Sequence, residues 1–216
     1  TLMHSKQKQI FGVMLFYSLA AILTGLLAGN LNESLQGFWT ILSSPAQLTM
    51  DYFKLGTVGG TFINVGMTGL GTVLVFALSG FALNGVSLMA FFLTTGFSFF
   101  GMNILNIWPC ILGTFLYSRV DGTPFKNHVN IALFATSLSP FVSEGIFRHP
   151  AFTSWGGKIA FGVGLGVVAG FLEVSTCQNI DRISGCQQNL CILTFDNSLL
   201  GDGFLRFGGC LGGNGF

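Results

Sequence analysis

Residues 55–79 read LGTVGGTFINVGMTGLGTVLVFALS, and this stretch decides the fold. It carries no charged side chain along its whole length. A helix of about 20 mostly apolar residues is long enough to cross the hydrocarbon core of a bilayer. The stretch therefore predicts a membrane-spanning helix, which we place at about residues 55–78.

The absence of charge extends well beyond this stretch. Four intervals contain no Asp, Glu, Lys or Arg: residues 9–32, 55–118, 127–143 and 159–172. They are continuously apolar, whereas the strands of a membrane barrel alternate apolar and polar residues. Lipid satisfies no backbone polar group, so a chain enters it only as helices or as a closed barrel. The four intervals therefore predict helices.

The overall composition indicates the same class of protein. Charged residues are 8% of the chain, half of the residues are apolar, and the mean hydropathy is +0.68. A typical soluble domain has about 25% charged residues, so the charges here are too few to coat a water-soluble exterior. A net charge of +1 leaves no basic field for nucleic acid. The partner that the composition predicts is the lipid bilayer.

We predict an all-α, polytopic transmembrane helix bundle of about six membrane segments within residues 1–172. The segments lie at about residues 10–29, 55–78, 82–98, 102–118, 128–142 and 158–172. The third and fourth are short, so they either cross twice or form a re-entrant pair hinged at residues 99–103. Residues 173–216 form an atypical polar, Gly- and Cys-containing tail, which is either native or truncated or out of frame.

The basic residues of the short loops predict the orientation, because cytoplasmic loops carry an excess of Lys and Arg. The predicted topology places four on the side of the N-terminus and three on the other side: Lys6, Lys8, Arg119 and Lys126 against Lys54, Arg148 and Lys158. We therefore expect a bacterial cell-membrane protein whose N-terminus is cytoplasmic.

Glycines in the sixth segment predict how the helices associate. Gly162, Gly166 and Gly170 recur every four residues, which places them on one helical face. Helices in lipid associate through close backbone approach at small residues. We expect this face to pack helices within the chain; a homo-oligomer interface or a flexing transport helix is the alternative.

Polar residues inside the apolar runs are the candidates for function. Asn64 is flanked by Thr61 and Thr68, which share its helical face in the second segment. Such a stripe either bonds helices together or contacts a transported solute. Asn103 and Asn106 follow Gly101 at the predicted hinge. There they either cap a plain turn or line a broken helix that binds a substrate or an ion.

Asp51 stands just before the second segment, with Lys54 three residues later. On a helix the two side chains share a face, which predicts an interfacial ion pair. A cation or proton site at a pore mouth is the alternative. We assign Asp51, Thr61, Asn64, Thr68, Asn103 and Asn106 to a speculative pathway for a substrate or an ion.

Metal, cofactor and catalytic sites are not predicted. Of the five cysteines, four lie in the last 40 residues, none forms a C-x-x-C pair, and no His follows His149. The sequence contains no G-x-S-x-G, H-E-x-x-H or Walker motif. We therefore expect a protein that is not an enzyme and holds no metal or cofactor.

Three parts of the sequence resemble a known family. They are ILSSP (41–45) with DYF (51–53) and GGTFINVG (59–66), TGFSFFGMNILNIWP (95–109) with LGTFLY (112–117), and ALFATSLSP (132–140). Together they are similar to the N-terminal half of the bacterial multi-pass membrane family called domain of unknown function 1576, over roughly residues 35–172. The chain departs from the family pattern at Met102, where members usually carry a basic residue, and after Leu172. The resemblance implies a membrane protein and supplies no activity.

Two functions follow from these patterns. The first is a transporter or channel for a small solute or ion, motivated by the short segments, the glycines and the mid-segment Asn and Thr residues. The alternative is a non-transporting membrane scaffold or assembly protein whose glycine faces recruit a partner. An intramembrane enzyme comes third.

Overall fold

The computed structural model of the protein describes residues 2–45, 50–148 and 154–184. Within these ranges all regular structure is helical and no strand occurs, which confirms the predicted all-α class. The α-helices are α1 Leu2–Leu27, α2 Leu31–Ser43, α3 Tyr52–Leu55, α4 Val58–Ser79, α5 Gly85–Phe97, α6 Ile107–Val120, α7 Val129–Ala135, α8 Pro140–Phe147 and α9 Trp155–Ser184. Two short 3₁₀ turns, Phe125–His128 and Thr136–Leu138, flank α7.

Three helices are long and apolar enough to cross a membrane. They contain the spans Lys6–Leu27, Val58–Ser79 and Trp155–Gln178. A fourth crossing results if the bent pair Phe125–Leu138 and Pro140–Phe147, which turns by 43°, is one span. Helices α5 and α6 have 13 and 14 residues, so neither is long enough to cross by itself.

Helix α4 lies at the centre of one half of the bundle, with α1 packed antiparallel to it. A Cβ added at Gly25 of α1 would lie 2.6 Å from the Gly59 carbonyl oxygen. Two turns further along α4, a Cβ at Gly66 would lie 2.5 Å from the Ser18 carbonyl oxygen. The two backbones therefore touch, in the manner that small residues permit between helices in lipid.

Helix α9 organises the other half of the bundle through its glycine face. A Cβ added at Gly166 would lie 2.5 Å from Pro109 of α6, and one at Gly170 would overlap the carbonyl oxygen of Cys110. Gly162 faces α8, where an added Cβ would lie 2.6 Å from the Val142 carbonyl oxygen. The three predicted packing glycines thus contact two other elements of the same chain.

Several helix bounds differ from the sequence prediction. Helix α2 was not predicted, because its polar residues interrupt the apolar pattern. The second span begins at Val58 rather than at residue 55, because Thr57 adopts a φ of 78° and caps the helix. Helix α9 continues through Leu172, where the predicted bundle ends, because the bundle interior accommodates Glu173. The division into two domains stays a prediction, since residues 185–216 lie outside the described part of the chain.

The contacts assign the helix termini to two ends of the bundle. Lys8 lines a cleft with Phe76 and Gly80, so the start of α1 lies beside the end of α4. We call this the Lys8 end. The opposite end, which holds Lys54 and the start of α4, is the Lys54 end.

Candidate functional site

The segment between α5 and α6, residues 98–106, is a hinge at the middle of the bundle. Pro109, just after it, packs on Gly166, which lies halfway along the Trp155–Gln178 span. On the other side Asn64 reaches the hinge from α4, six residues or about 9 Å from the start of that helix. Both neighbours therefore place the hinge between the ends of two candidate membrane spans.

The chain turns back at this hinge. Asn64 bonds the carbonyl groups of Ser98 and Met102, whereas a Cβ at Gly71 would meet Ile104 at 2.6 Å. Gly71 lies two turns closer to the Lys8 end than Asn64 does, so the chain moves toward that end as it enters α6. Both alternatives for residues 82–118 reverse the chain here, and the short lengths of α5 and α6 favour the re-entrant pair. Its hinge is longer than predicted, residues 98–106 instead of 99–103.

The two asparagines of the hinge bond each other. The Asn103 side-chain oxygen accepts hydrogen bonds from the backbone N–H of Asn106 at 2.9 Å and of Leu105 at 3.0 Å. The Asn106 side-chain oxygen accepts from the Asn103 N–H at 2.9 Å. Gly101 supplies a φ of 99°, a conformation that side chains other than glycine rarely adopt. The reciprocal bonds satisfy backbone groups that lipid would leave unpaired.

Asn64 fixes the hinge to α4. Its side-chain N–H₂ donates to the carbonyl oxygens of Ser98 at 2.9 Å and Met102 at 2.8 Å, and the residue is completely buried. Its side-chain oxygen, in contrast, has no hydrogen-bond partner among the described residues. The amide nitrogen of Asn64 therefore fixes the hinge to α4, and the amide oxygen is a buried acceptor without a partner in the described part of the chain.

A second interruption lies beside the first. Helices α7 and α8 are separated by the 3₁₀ turn Thr136–Leu138 and by Ser139. The Asn106 side-chain N–H₂ donates to Ser143 of α8 at 3.0 Å, which joins the hinge to α8 one turn after this second interruption. Ser139 is completely buried, and no partner for its hydroxyl group is present in the described ranges.

Tyr52, which the sequence reading missed, closes the hinge from the Lys54 end. Its backbone N–H donates to the Phe99 carbonyl oxygen at 3.3 Å, and its completely buried phenol lies near the Asn103 side chain but has no hydrogen-bond partner among the described residues. Burial raises the pKa of this phenol, and the Asn103 contact opposes the rise. The sequence gives no local pattern that favours Tyr52 over its neighbour Asp51 as a site residue, because only tertiary packing buries the tyrosine.

The remaining predicted pathway residues divide into two groups. Thr61 and Thr68 are completely buried on the Asn64 face of α4; the Thr61 hydroxyl donates to the Thr57 carbonyl oxygen at 2.8 Å, while the Thr68 hydroxyl has no partner in the described part of the chain. Asp51 lies at the surface instead. It caps α3 and pairs with Lys54 at 3.9 Å, with both side chains well exposed.

The comparisons with known proteins identify a family and no function. The family described as "Protein of unknown function (DUF1576)" matches residues 30–190. The chain belongs to the DUF1576 family. No curated protein and no solved structure matches it.

Two other features of this DUF1576 chain are separate from the hinge chemistry. A cleft of about 560 Å³ beside α6 is lined only by apolar residues, including Trp108, Leu112 and Phe115, as a lipid-facing groove would be. Within the ranges that the structure covers, no group of three or more His, Cys, Asp and Glu residues is arranged to hold a metal ion.

Proposed function

We propose that this membrane protein moves a small solute or ion past the two interrupted helices. The observation that carries the proposal is the Asn106–Ser143 hydrogen bond, which joins the α5–α6 interruption to α8 one turn after the α7–α8 interruption. Transporters often place their binding sites at interrupted helices near the bilayer midplane, where irregular backbone and helix ends face the substrate. The family match and the apolar helices support a membrane protein of unknown function, and the transport role is a proposal that goes beyond them.

The chemistry of the site favours an uncharged set of oxygen ligands. Four oxygens without a partner among the described residues belong to completely buried side chains: Tyr52 Oη, Asn64 Oδ1, Thr68 Oγ1 and Ser139 Oγ. Buried polar groups normally have partners, so open acceptors are positions where a ligand gains hydrogen bonds or coordination. The carboxyl end of α5 adds the negative end of a helix dipole. A weakly hydrated monovalent cation, or the O–H and N–H groups of a neutral solute, would fit.

The glycine faces do not favour the alternative of a scaffold. Gly162, Gly166 and Gly170 contact α6 and α8 of the same chain, so they are not available to a partner unless the bundle opens. We therefore propose a non-enzymatic transport role rather than partner recruitment.

Flux through reconstituted vesicles tests the proposal. The full chain is placed in liposomes, and entry of radioactive Na⁺ and Rb⁺ and of neutral polyols is measured for the wild type and for Thr68→Val. Valine keeps the shape of threonine and removes the open oxygen, so we expect the fold to persist and the flux to fall about tenfold, which is 1.4 kcal/mol in the barrier.

Thr72→Val is the matched control. Thr72 lies one turn along the same face of α4 and is equally buried, but its hydroxyl already donates to the Thr68 carbonyl oxygen at 3.1 Å. Flux should change little in this variant. Wild-type vesicles that admit none of these probes, or equal losses in the two variants, would contradict transport through this site.

We also propose that the Lys8 end faces the cytoplasm of a bacterial cell. That end carries Lys6, Lys8, Arg119 and Lys126, whereas the Lys54 end carries Lys54, Arg148 and Lys158. An excess of Lys and Arg on one side supports a cytoplasmic location for that side.

A further inference from the structure

Glu173 is a carboxylate inside a membrane span. It lies in α9, five residues before the end of the Trp155–Gln178 span, and its side chain is 4% exposed. Among the Asp, Glu, Lys and Arg side chains whose burial the structure describes, it is the one that is buried. An ionised group at this depth is costly, so ionisable residues buried in membrane bundles commonly serve ion or proton pathways.

Three elements surround Glu173. Gly170, one turn earlier, packs on Cys110 of α6, and the Cys110 thiol lies close enough to sense the charge of Glu173. Val174 and Cys177 pack on Ile131 of α7. The carboxyl group is thus placed between α6, α7 and α9, about one turn from the start of α6 at the hinge.

A connected set of polar groups leads inward from the Lys8 end as far as His128. Exposed Asp121 accepts a hydrogen bond from Thr123 at 2.9 Å, and the Thr123 hydroxyl lies 2.7 Å from His128 Nε2. His128 is 2% exposed, and its Nδ1 has no hydrogen-bond partner among the described residues. Its ring lies 6.0 Å from that of Tyr117.

Tyr117 links this set to α9. Its ring contacts that of Phe171 at 5.0 Å, and its hydroxyl donates to Gln178 at 2.8 Å. These two residues lie two before and five after Glu173 on the same helix. The titratable groups around Glu173 are therefore Cys110 and Tyr117 from α6 and His128 from the turn before α7.

We propose that Glu173 is a proton-binding site reached from the Lys8 end through Asp121, Thr123 and His128. A bound proton removes the charge that makes a carboxylate costly inside a span. Histidine is suited to the relay because one of its ring nitrogens can accept a proton while the other donates one. If the proposed transport function holds, this site would couple solute movement to protons; the proton site itself does not depend on it.

Dicyclohexylcarbodiimide tests the site directly, because this apolar reagent adds to protonated carboxyl groups in apolar surroundings. The purified full chain is treated in detergent at pH values from about 6 to 9, and modified peptides are quantified by mass spectrometry. We expect Glu173 to be labelled at least tenfold faster than the exposed Glu33 at neutral pH, and the labelling to decline as the pH rises. Glu173→Gln should abolish this label, while Glu144→Gln should retain it.

The wild-type pH profile keeps the test valid even if Glu173→Gln does not fold. Absence of labelling at Glu173 throughout this range would overturn the proposal. Protection by Na⁺ at constant pH would overturn it as well, since it would identify a sodium site. Labelling in a protein that fails the flux experiment would support the proton site and contradict only the transport proposal.

Discussion

At Asn64 a single amide group joins two segments that are more than 30 residues apart in sequence. Its N–H₂ group donates to Ser98 and Met102, and both acceptors are backbone carbonyls of a non-helical segment. A lone asparagine in an apolar helix predicts a polar contact, but the sequence cannot identify the partner. Only the tertiary structure, which packs the hinge beside α4, identifies the Ser98 and Met102 carbonyl groups as the acceptors.

Replacing this amide should destabilise the bundle. In Asn64→Leu the two carbonyl groups lose their donor, and buried unsatisfied groups cost about 1–3 kcal/mol each, although hydrogen bonds in membrane bundles average about 0.6. We expect a loss of about 1–3 kcal/mol in unfolding free energy, measured by denaturation with sodium dodecyl sulfate in mixed micelles. Thr24→Val is the control, because the exposed Thr24 hydroxyl bonds only the Ala20 carbonyl of its own helix. Equal stability of Asn64→Leu and wild type would show that the hinge does not need this contact.

Thr57 is the one residue other than glycine with a positive φ in the described ranges. Its φ of 78° and ψ of 159° fall in a region that is essentially restricted to glycine, while its hydroxyl accepts from the Gly60 N–H at 3.1 Å. Backbone strain of this kind costs about 1–3 kcal/mol, whereas glycine in place of a capping threonine costs a few tenths. Thr57→Gly should therefore stabilise the protein by about 1 kcal/mol.

Thr57→Ala separates strain from capping, because alanine keeps the strain and lacks the capping oxygen. We expect it to destabilise the protein by about 1 kcal/mol in the same denaturation measurement. If both variants were destabilised equally, the strained conformation would not be present in the protein in solution.

At the scale of elements, the contact between α6 and α9 sets the position of the hinge. Gly170 lies against the Cys110 backbone, and the Thr114 hydroxyl donates to the Gly170 carbonyl oxygen at 3.3 Å. Because α6 begins at the hinge, the register of this pair fixes the depth at which the chain turns. The i, i+4, i+8 glycine pattern indicated a packing face in advance, but it did not indicate which helix would cover it.

Gly170→Ala should loosen this helix pair. The added methyl group would overlap the Cys110 carbonyl oxygen, and overpacking of this kind costs about 1–3 kcal/mol. Gly164→Ala on the same helix is the matched control, since no atom outside its neighbours lies within 4 Å of the added Cβ. Thermal unfolding of the two purified variants should show a lower midpoint for Gly170→Ala alone. Identical midpoints would place the α6–α9 contact elsewhere.

At the scale of the whole molecule, two ends of the bundle are separated by charge-free helices. Residues near Ser44 lie at the Lys54 end, and the exposed turn at Gly122 follows α6 at the Lys8 end. Both ends carry loops that tolerate insertion better than the helices do, since short exposed segments have few packed contacts.

Epitope tags at these two sites should be reached from opposite sides of the membrane. In intact spheroplasts we expect an antibody to bind a tag inserted after Ser44 and to bind one after Gly122 only once the membrane is permeabilised. The reverse pattern would invert the proposed orientation. Access to both tags from one side would contradict the topology of the bundle itself.

The sequence by itself determined the membrane class, the helical fold and the position of the long spans. These properties follow from how each segment is solvated, and a run such as residues 55–118 without charge has few ways to exist outside lipid. The same counting rule ended the sixth segment at Leu172, because it treats every carboxylate as exposed. Helix α9 continues past that residue and buries Glu173.

Only the tertiary structure decided which polar groups meet. Three features join residues that are distant in sequence. They are the hydrogen bond from Asn106 to Ser143, the packing that buries Tyr52, and the turn of residues 98–106 beside α4. Periodicity reports which residues share a face of one helix, whereas a binding site in a bundle forms from faces of several. The candidate residues could thus be found singly in the sequence, and their arrangement into a site came from the packing of the helices.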